Sequence, residues 1–138
     1  MLKNRIKEIE KEFSELPDSF MRYSFLVELS AYVTDNSPEL MQEANLFPGC
    51  QSRVWMTVDF SAGRLRLAAT SDTMLIRGLL YVMMELYNDC TPQELLETPV
   101  DILQLCQVTE NFNSERSSNI KRMLEFIRNV AADYVKTS

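Results

Sequence analysis

The order of patterned segments predicts an α+β fold, a small single-domain sandwich whose antiparallel sheet, a hairpin over about residues 53–70, is covered by helices. Two changes of period carry this expectation. Residues 2–31 place apolar side chains at helical spacing, residues 53–70 alternate with a period of two about a short turn, and the remainder returns to helical spacing. A third observation is size: 138 residues, 46% apolar, can bury one core without covalent staples, and no linker divides the chain, so residues 1–138 are read as one domain.

In the first segment Leu2, Ile6, Ile9 and Phe13 recur at steps of four, three and four, one side of an amphipathic helix that Pro17 ends. Asp18 is placed to cap a second helix with Phe20, Tyr23, Leu26, Val27 and Ala31 as its apolar positions. Residues 34–49 read as a long irregular connection. Val54, Met56, Val58 and Phe60 then alternate with Trp55, Thr57 and Asp59; Ser61-Ala62-Gly63 turns the chain, and Leu65, Leu67 and Ala69 form the returning strand. Two strands alone are marginal, so further pairing or a helical cover is expected. Asp72 is the expected cap of a helix over 73–89 with little polar surface, in which Gly78 costs about 1 kcal/mol relative to Ala and so points to a close backbone neighbour. Thr91-Pro92-Gln93-Glu94 matches a capping box, Pro99 is expected to begin another short helical stretch, and a last helix from Asn113 or Ser114 carries Ile120, Leu124, Ile127, Ala131 and Tyr134.

Composition removes several functional classes. The sequence has no histidine, so a Ser-His-Asp triad, a Cys-His dyad and a Cys2His2 zinc site are all ruled out. A formal charge of −6 repels phosphate backbones and anionic membranes, so neither nucleic acid nor a membrane is an expected partner. The charged first residues resemble neither a secretory signal nor a transit peptide, and no run of about 18 apolar residues is long enough to span a bilayer. The expected location is cytoplasmic. Three cysteines without a CxxC pair support neither a zinc ribbon nor a thioredoxin-like site, and no metal site or bound cofactor is expected.

Among the thiols Cys50 stands apart, since Gly49 before it lets the chain turn without a side chain in the way. Gln51 and Ser52 offer hydrogen-bond donors beside it, and Arg53 adds a positive charge, conditions that favour the nucleophilic thiolate. A small buried hydrophobe is the plainer reading of any cysteine, and it is the one adopted for Cys90 and Cys106, each beside strongly apolar helical sequence.

The run Gly49-Cys50-Gln51-Ser52-Arg53-Val54-Trp55 resembles the G-C-Q-S-x-V-W signature of the SufE family of sulfur acceptors. Ser71-Asp72 followed by Ile76-Arg77-Gly78-Leu79, Thr91-Pro92, and Arg116-Ser117 at the last helix resemble further family segments. The chain departs from the pattern at Phe112-Asn113-Ser114-Glu115-Arg116, which lacks the family's proline, and at Ser118-Asn119, where an Asn-Gly pair is usual. The resemblance implies a persulfide acceptor in iron–sulfur cluster assembly. Cys50 would take sulfur from a pyridoxal-phosphate-dependent cysteine desulfurase (SufS-like), stimulate its turnover, and pass the sulfur to an iron–sulfur scaffold complex (SufBCD-like). Gly49, Gln51, Ser52 and Arg53 would form the supporting loop, and Arg116 would be an electrostatic neighbour. The protein would then be a sulfur-transfer partner and not itself an enzyme, with the cofactor held by the desulfurase.

Two other readings stay open. One is a regulatory binding module on a partner enzyme in which Cys50 is structural; the other is a thiol peroxidase or redox sensor in which Cys50 forms a sulfenic acid and then a disulfide with Cys90 or Cys106. A monomer and a weak homodimer are both compatible with the apolar fraction.

Overall fold

The structure, a computed structural model, describes residues 1–137. Helices α1 (Leu2–Ser14) and α2 (Ser19–Leu29) precede strands β1 (Val54–Ser61) and β2 (Arg64–Ser71). Helices α3 (Met74–Tyr87), α4 (Pro92–Glu97), α5 (Ile102–Leu105) and α6 (Ser114–Thr137) follow. This is the expected α+β arrangement, a two-stranded antiparallel sheet under helices. Between α2 and β1 the chain is irregular apart from single 3-10 turns at Ser30–Tyr32 and Glu43–Asn45, as the polar sequence there anticipates.

The hairpin pairs Val54 with Ser71 through to Ser61 with Arg64, which leaves Ala62 and Gly63 as a two-residue loop. Both have positive φ, 53° and 74°, the left-handed pair that matches the twist of the strands. Gly63 adopts it freely, whereas a Cβ at Ala62 costs about 1 kcal/mol. Ala62→Asn is therefore expected to raise stability by about 0.5 kcal/mol, read as a higher urea midpoint at unchanged slope. An unchanged or lower midpoint would show that the alanine is not strained.

Val54, Met56, Leu65, Leu67 and Ala69 face the core with α3 and α6. Residues 88–90 shield the outer edge of β2: Asn88 brackets Leu67 through its side-chain amide at 2.7 and 3.1 Å, and Leu65 N–H donates to the Cys90 carbonyl at 2.9 Å. That edge is thus satisfied without a third strand. The opposite face is also partly covered. Trp55, outward by alternation, is only 7% exposed, and the long connection crosses its end of the sheet through a Leu46–Trp55 bridge and a Thr70–Asn36 hydrogen bond of 2.6 Å.

Caps explain most helix boundaries. Asp18 accepts from Met21 N–H, and Thr91 with Glu94 closes the capping box, both as expected. Asp72 does not cap α3. Its carboxylate accepts the Arg53 N–H at 3.0 Å instead, a donor with no ladder partner at the strand entrance, and Thr73 occupies the cap position without a side-chain bond to the helix N-terminus. The short helix expected from Pro99 begins only at Ile102, where Asp101 accepts the Gln104 N–H.

The apolar side of α2 also differs from expectation. Leu26 is buried and Phe25 and Leu29 pack on the core, while Phe20 is 71% exposed and Tyr23 and Ala31 are exposed as well. Apolar residues surround this helix, so periodicity alone could not select its inner side. Contact with α3 selects it. A Cβ on Gly78 would lie 1.8 Å from the Leu26 carbonyl oxygen, which is the close backbone neighbour anticipated for that glycine.

Candidate functional site

The two strands and α6 together determine where Cys50 sits. Upstream, Phe47 N–H donates to the Val54 carbonyl at 2.7 Å, which pins the chain to the beginning of β1. Downstream, Arg53 is held at both backbone groups: its N–H donates to Asp72, and its carbonyl accepts from the Ser71 hydroxyl at 2.7 Å and the Asp72 N–H at 3.2 Å. Residues 48–52 must therefore close a short excursion between fixed ends. Gly49, at φ 84°, makes the reversal.

The excursion lies along the first turns of α6. Cys50 is half-buried and packs on the edge of the core, beside a small cavity of about 20 Å³ walled by Val54, Ile76, Ile120 and Met123 with Arg116 and Asn119 at its rim. By volume the cavity holds little more than one water-sized atom. Cys90 and Cys106 are fully buried, as their apolar surroundings anticipate, and burial pushes the Cys106 thiol up to about 12.

Each residue singled out from the sequence has a definite place. Gln51 Nε2 donates to Glu115 at 3.3 Å, and Ser52 Oγ accepts from the Thr73 hydroxyl at 2.7 Å, so both tie the loop to its surroundings. Arg53 is exposed and serves through its backbone. Arg116 shares the cavity with Cys50, and its N–H is capped by Asn113 at 2.8 Å, so α6 starts cleanly without the proline usual at this point.

The expected cation is a different one. Arg122, not among the residues singled out from the sequence, supplies the positive charge that acts on Cys50. Its guanidinium donates to the Pro48 carbonyl at 2.6 Å and to Asn119 Oδ1 at 2.9 Å, and lies 5.1 Å from the centre of the Phe47 ring. Nothing local signals this contact, which joins residues 74 apart. Nor is the thiolate favoured in this position: burial outweighs Arg122 and raises the Cys50 thiol above its ordinary value. The expectation from Gln51, Ser52 and Arg53 is corrected accordingly. Neighbours in sequence are not the groups that set the charge at the sulfur.

Fold and site together define a small α+β protein that presents one surface thiol on a loop pinned at both ends. The family model for the SufE Fe-S metabolism associated domain matches residues 7–131. The chain belongs to that family and so to the accessory proteins of iron–sulfur metabolism. Among solved structures it is similar to the solution structure of a hypothetical protein from Thermus thermophilus, with a TM-score of 0.76 at 19% identity over 96% of each chain. At that identity the likeness establishes the fold alone. No helix among the described residues is long and apolar enough to cross a membrane.

Proposed function

We propose that this protein accepts sulfane sulfur on Cys50 from a pyridoxal-phosphate-dependent cysteine desulfurase, stimulates that enzyme, and delivers the sulfur to an iron–sulfur scaffold in the cytoplasm. One observation carries the reading: of the three thiols, only Cys50 reaches the surface, and it does so on a glycine-pivoted loop.

The chemistry needs no group beyond the thiol. The Cys50 thiolate attacks the terminal sulfur of the donor's persulfide, a new sulfur–sulfur bond forms to Cys50, the donor's sulfur–sulfur bond breaks, and the donor cysteine leaves as a thiolate. Nothing is oxidised or reduced overall. A second exchange of the same kind passes the sulfur onward.

Packed against α6, Cys50 is held mainly as the unreactive thiol, because burial is the larger influence on it. Swung out on a partner, the loop would expose the sulfur and ease its ionisation. The reading therefore includes a tucked and an extended loop state. A redox-sensor role is poorly supported, since the resolving thiols it needs, Cys90 and Cys106, are sealed in the core.

The test is to incubate the protein with a cysteine desulfurase and free cysteine and to follow intact mass. One added sulfur, mapped to Cys50 and removed by reductant, is the expected result. Sulfur that never appears, or that maps to Cys90 or Cys106, overturns the reading.

A further inference from the structure

We propose that Arg122 is a positioning residue that clamps the Cys50 loop onto α6, so that its release from Phe47 and Pro48 is the step that frees Cys50 to meet a sulfur donor. This rests on the reading of Cys50 as the acceptor.

The clamp is visible in how the guanidinium divides its contacts. One arm donates to Asn119 Oδ1 at 2.9 Å, a residue one turn earlier on the same helix, which fixes the planar head in direction before it meets the loop. The other arm reaches across to the Pro48 carbonyl at 2.6 Å, a charge-assisted hydrogen bond. The face of the group covers the Phe47 ring, whose edge meets Phe126 of α6 at a centroid distance of 5.9 Å. Arg122 Nη1 also lies 3.0 Å from the place a Cβ would occupy on Gly49, so the guanidinium passes close over the turn. One side chain thus holds two consecutive residues, Phe47 and Pro48, just before the Gly49-Cys50 turn.

Other tethers of the loop are weaker or sit at its fixed end. Gln51 meets Glu115 at 3.3 Å in an exposed position, and the Ser52–Thr73 bond adjoins the downstream anchor at Arg53. Between the pinned backbones of Phe47 and Arg53, Arg122 is therefore the principal polar contact that opening must break, beside the packing of Cys50 itself on the core edge.

The charged groups around the sulfur are Arg122 and Arg116 from α6, Glu115 through Gln51, and Arg53 with Asp72 at the loop's far end. An arginine that acted only as a charge would change how readily Cys50 ionises. A clamp changes how often Cys50 is exposed. The two are separated by the rate of Cys50 alkylation by iodoacetamide as a function of pH, followed by mass in the native full chain, with Cys50→Ser as blank.

Arg122→Ala is expected to raise the limiting rate at high pH, where the thiol is ionised in every variant, about tenfold, as suits loss of one charged hydrogen bond. Arg122→Lys, which keeps a single hydrogen-bond donor but not the fork, should raise it about threefold. Exchange of the Gly49 to Ser52 amides should accelerate in parallel. An unchanged limiting rate with only a displaced pH midpoint would overturn the clamp and leave Arg122 as a charge alone. Should Arg122→Ala not fold, Arg122→Lys decides between the two by the same plateau. Sulfur uptake from a desulfurase is scored separately. Uptake with an unmoved plateau defeats the clamp and spares the acceptor reading, whereas a raised plateau without uptake does the reverse.

Discussion

Cys50→Ser is expected to abolish sulfur uptake entirely while leaving the fold and the affinity for a desulfurase within about twofold of the parent. The substitution exchanges sulfur for oxygen at a half-buried site, so the volume change is small, and the cavity walls of Val54, Ile76, Ile120 and Met123 stay in place. What disappears is the nucleophile. A serine hydroxyl remains protonated at neutral pH and forms no sulfur–sulfur bond, so no residual transfer is expected by this route. The measurement pairs intact mass after incubation with desulfurase and cysteine with a binding titration. A serine variant that still stimulated the desulfurase fully would favour the regulatory-module reading, in which Cys50 is only structural.

Gly78→Ala should cost stability on the order of 3–4 kcal/mol, although helix propensity argues the other way. Within an isolated helix, alanine is better than glycine by about 1 kcal/mol. Here the added methyl would fall 1.8 Å from the Leu26 carbonyl oxygen and 2.6 Å from its carbonyl carbon. These are backbone atoms, so no rotamer change relieves the clash, and α2 has to back away from α3. Such a displacement would open the packing of fully buried Leu26, Leu79 and Leu80 and forfeit dispersion contacts all along the interface. Urea unfolding of the two proteins checks this. A loss below about 1 kcal/mol would mean that the helices part at little cost and that the glycine is not required by its neighbour.

Legibility in the sequence follows the range of the interaction concerned. The hairpin, the caps at Asp18 and Thr91, and the burial of Cys90 and Cys106 depend on patterns a few residues long, and all are readable. Gly78 is readable as an anomaly: a glycine inside a good helix raises the question, and only the packing of α2 answers it. Asp72 departs from expectation because two nearby donors compete for one carboxylate, and the unpaired Arg53 N–H at the strand entrance takes it. For α2 the sequence offers apolar residues on nearly every side, and the contact with α3 chooses Phe25, Leu26 and Leu29 over Phe20 and Tyr23.

At the candidate site the division is sharper. Cys50 is singled out by its glycine-preceded loop and by the resemblance of the G-C-Q-S-x-V-W run, both of them local facts. How its sulfur is held and charged is not a local fact. The groups governing Cys50 are Arg122, one helix turn beyond Asn119, and the apolar walls drawn from β1, α3 and α6, and they meet the loop only once the hairpin and α6 have docked. Sequence by itself determined the candidate thiol and most of the elements around it, since those follow from residue type and short-range periodicity. Tertiary structure alone decided its burial, its counter-charge and its restraint, because each depends on residues dozens of positions apart meeting across a packed interface.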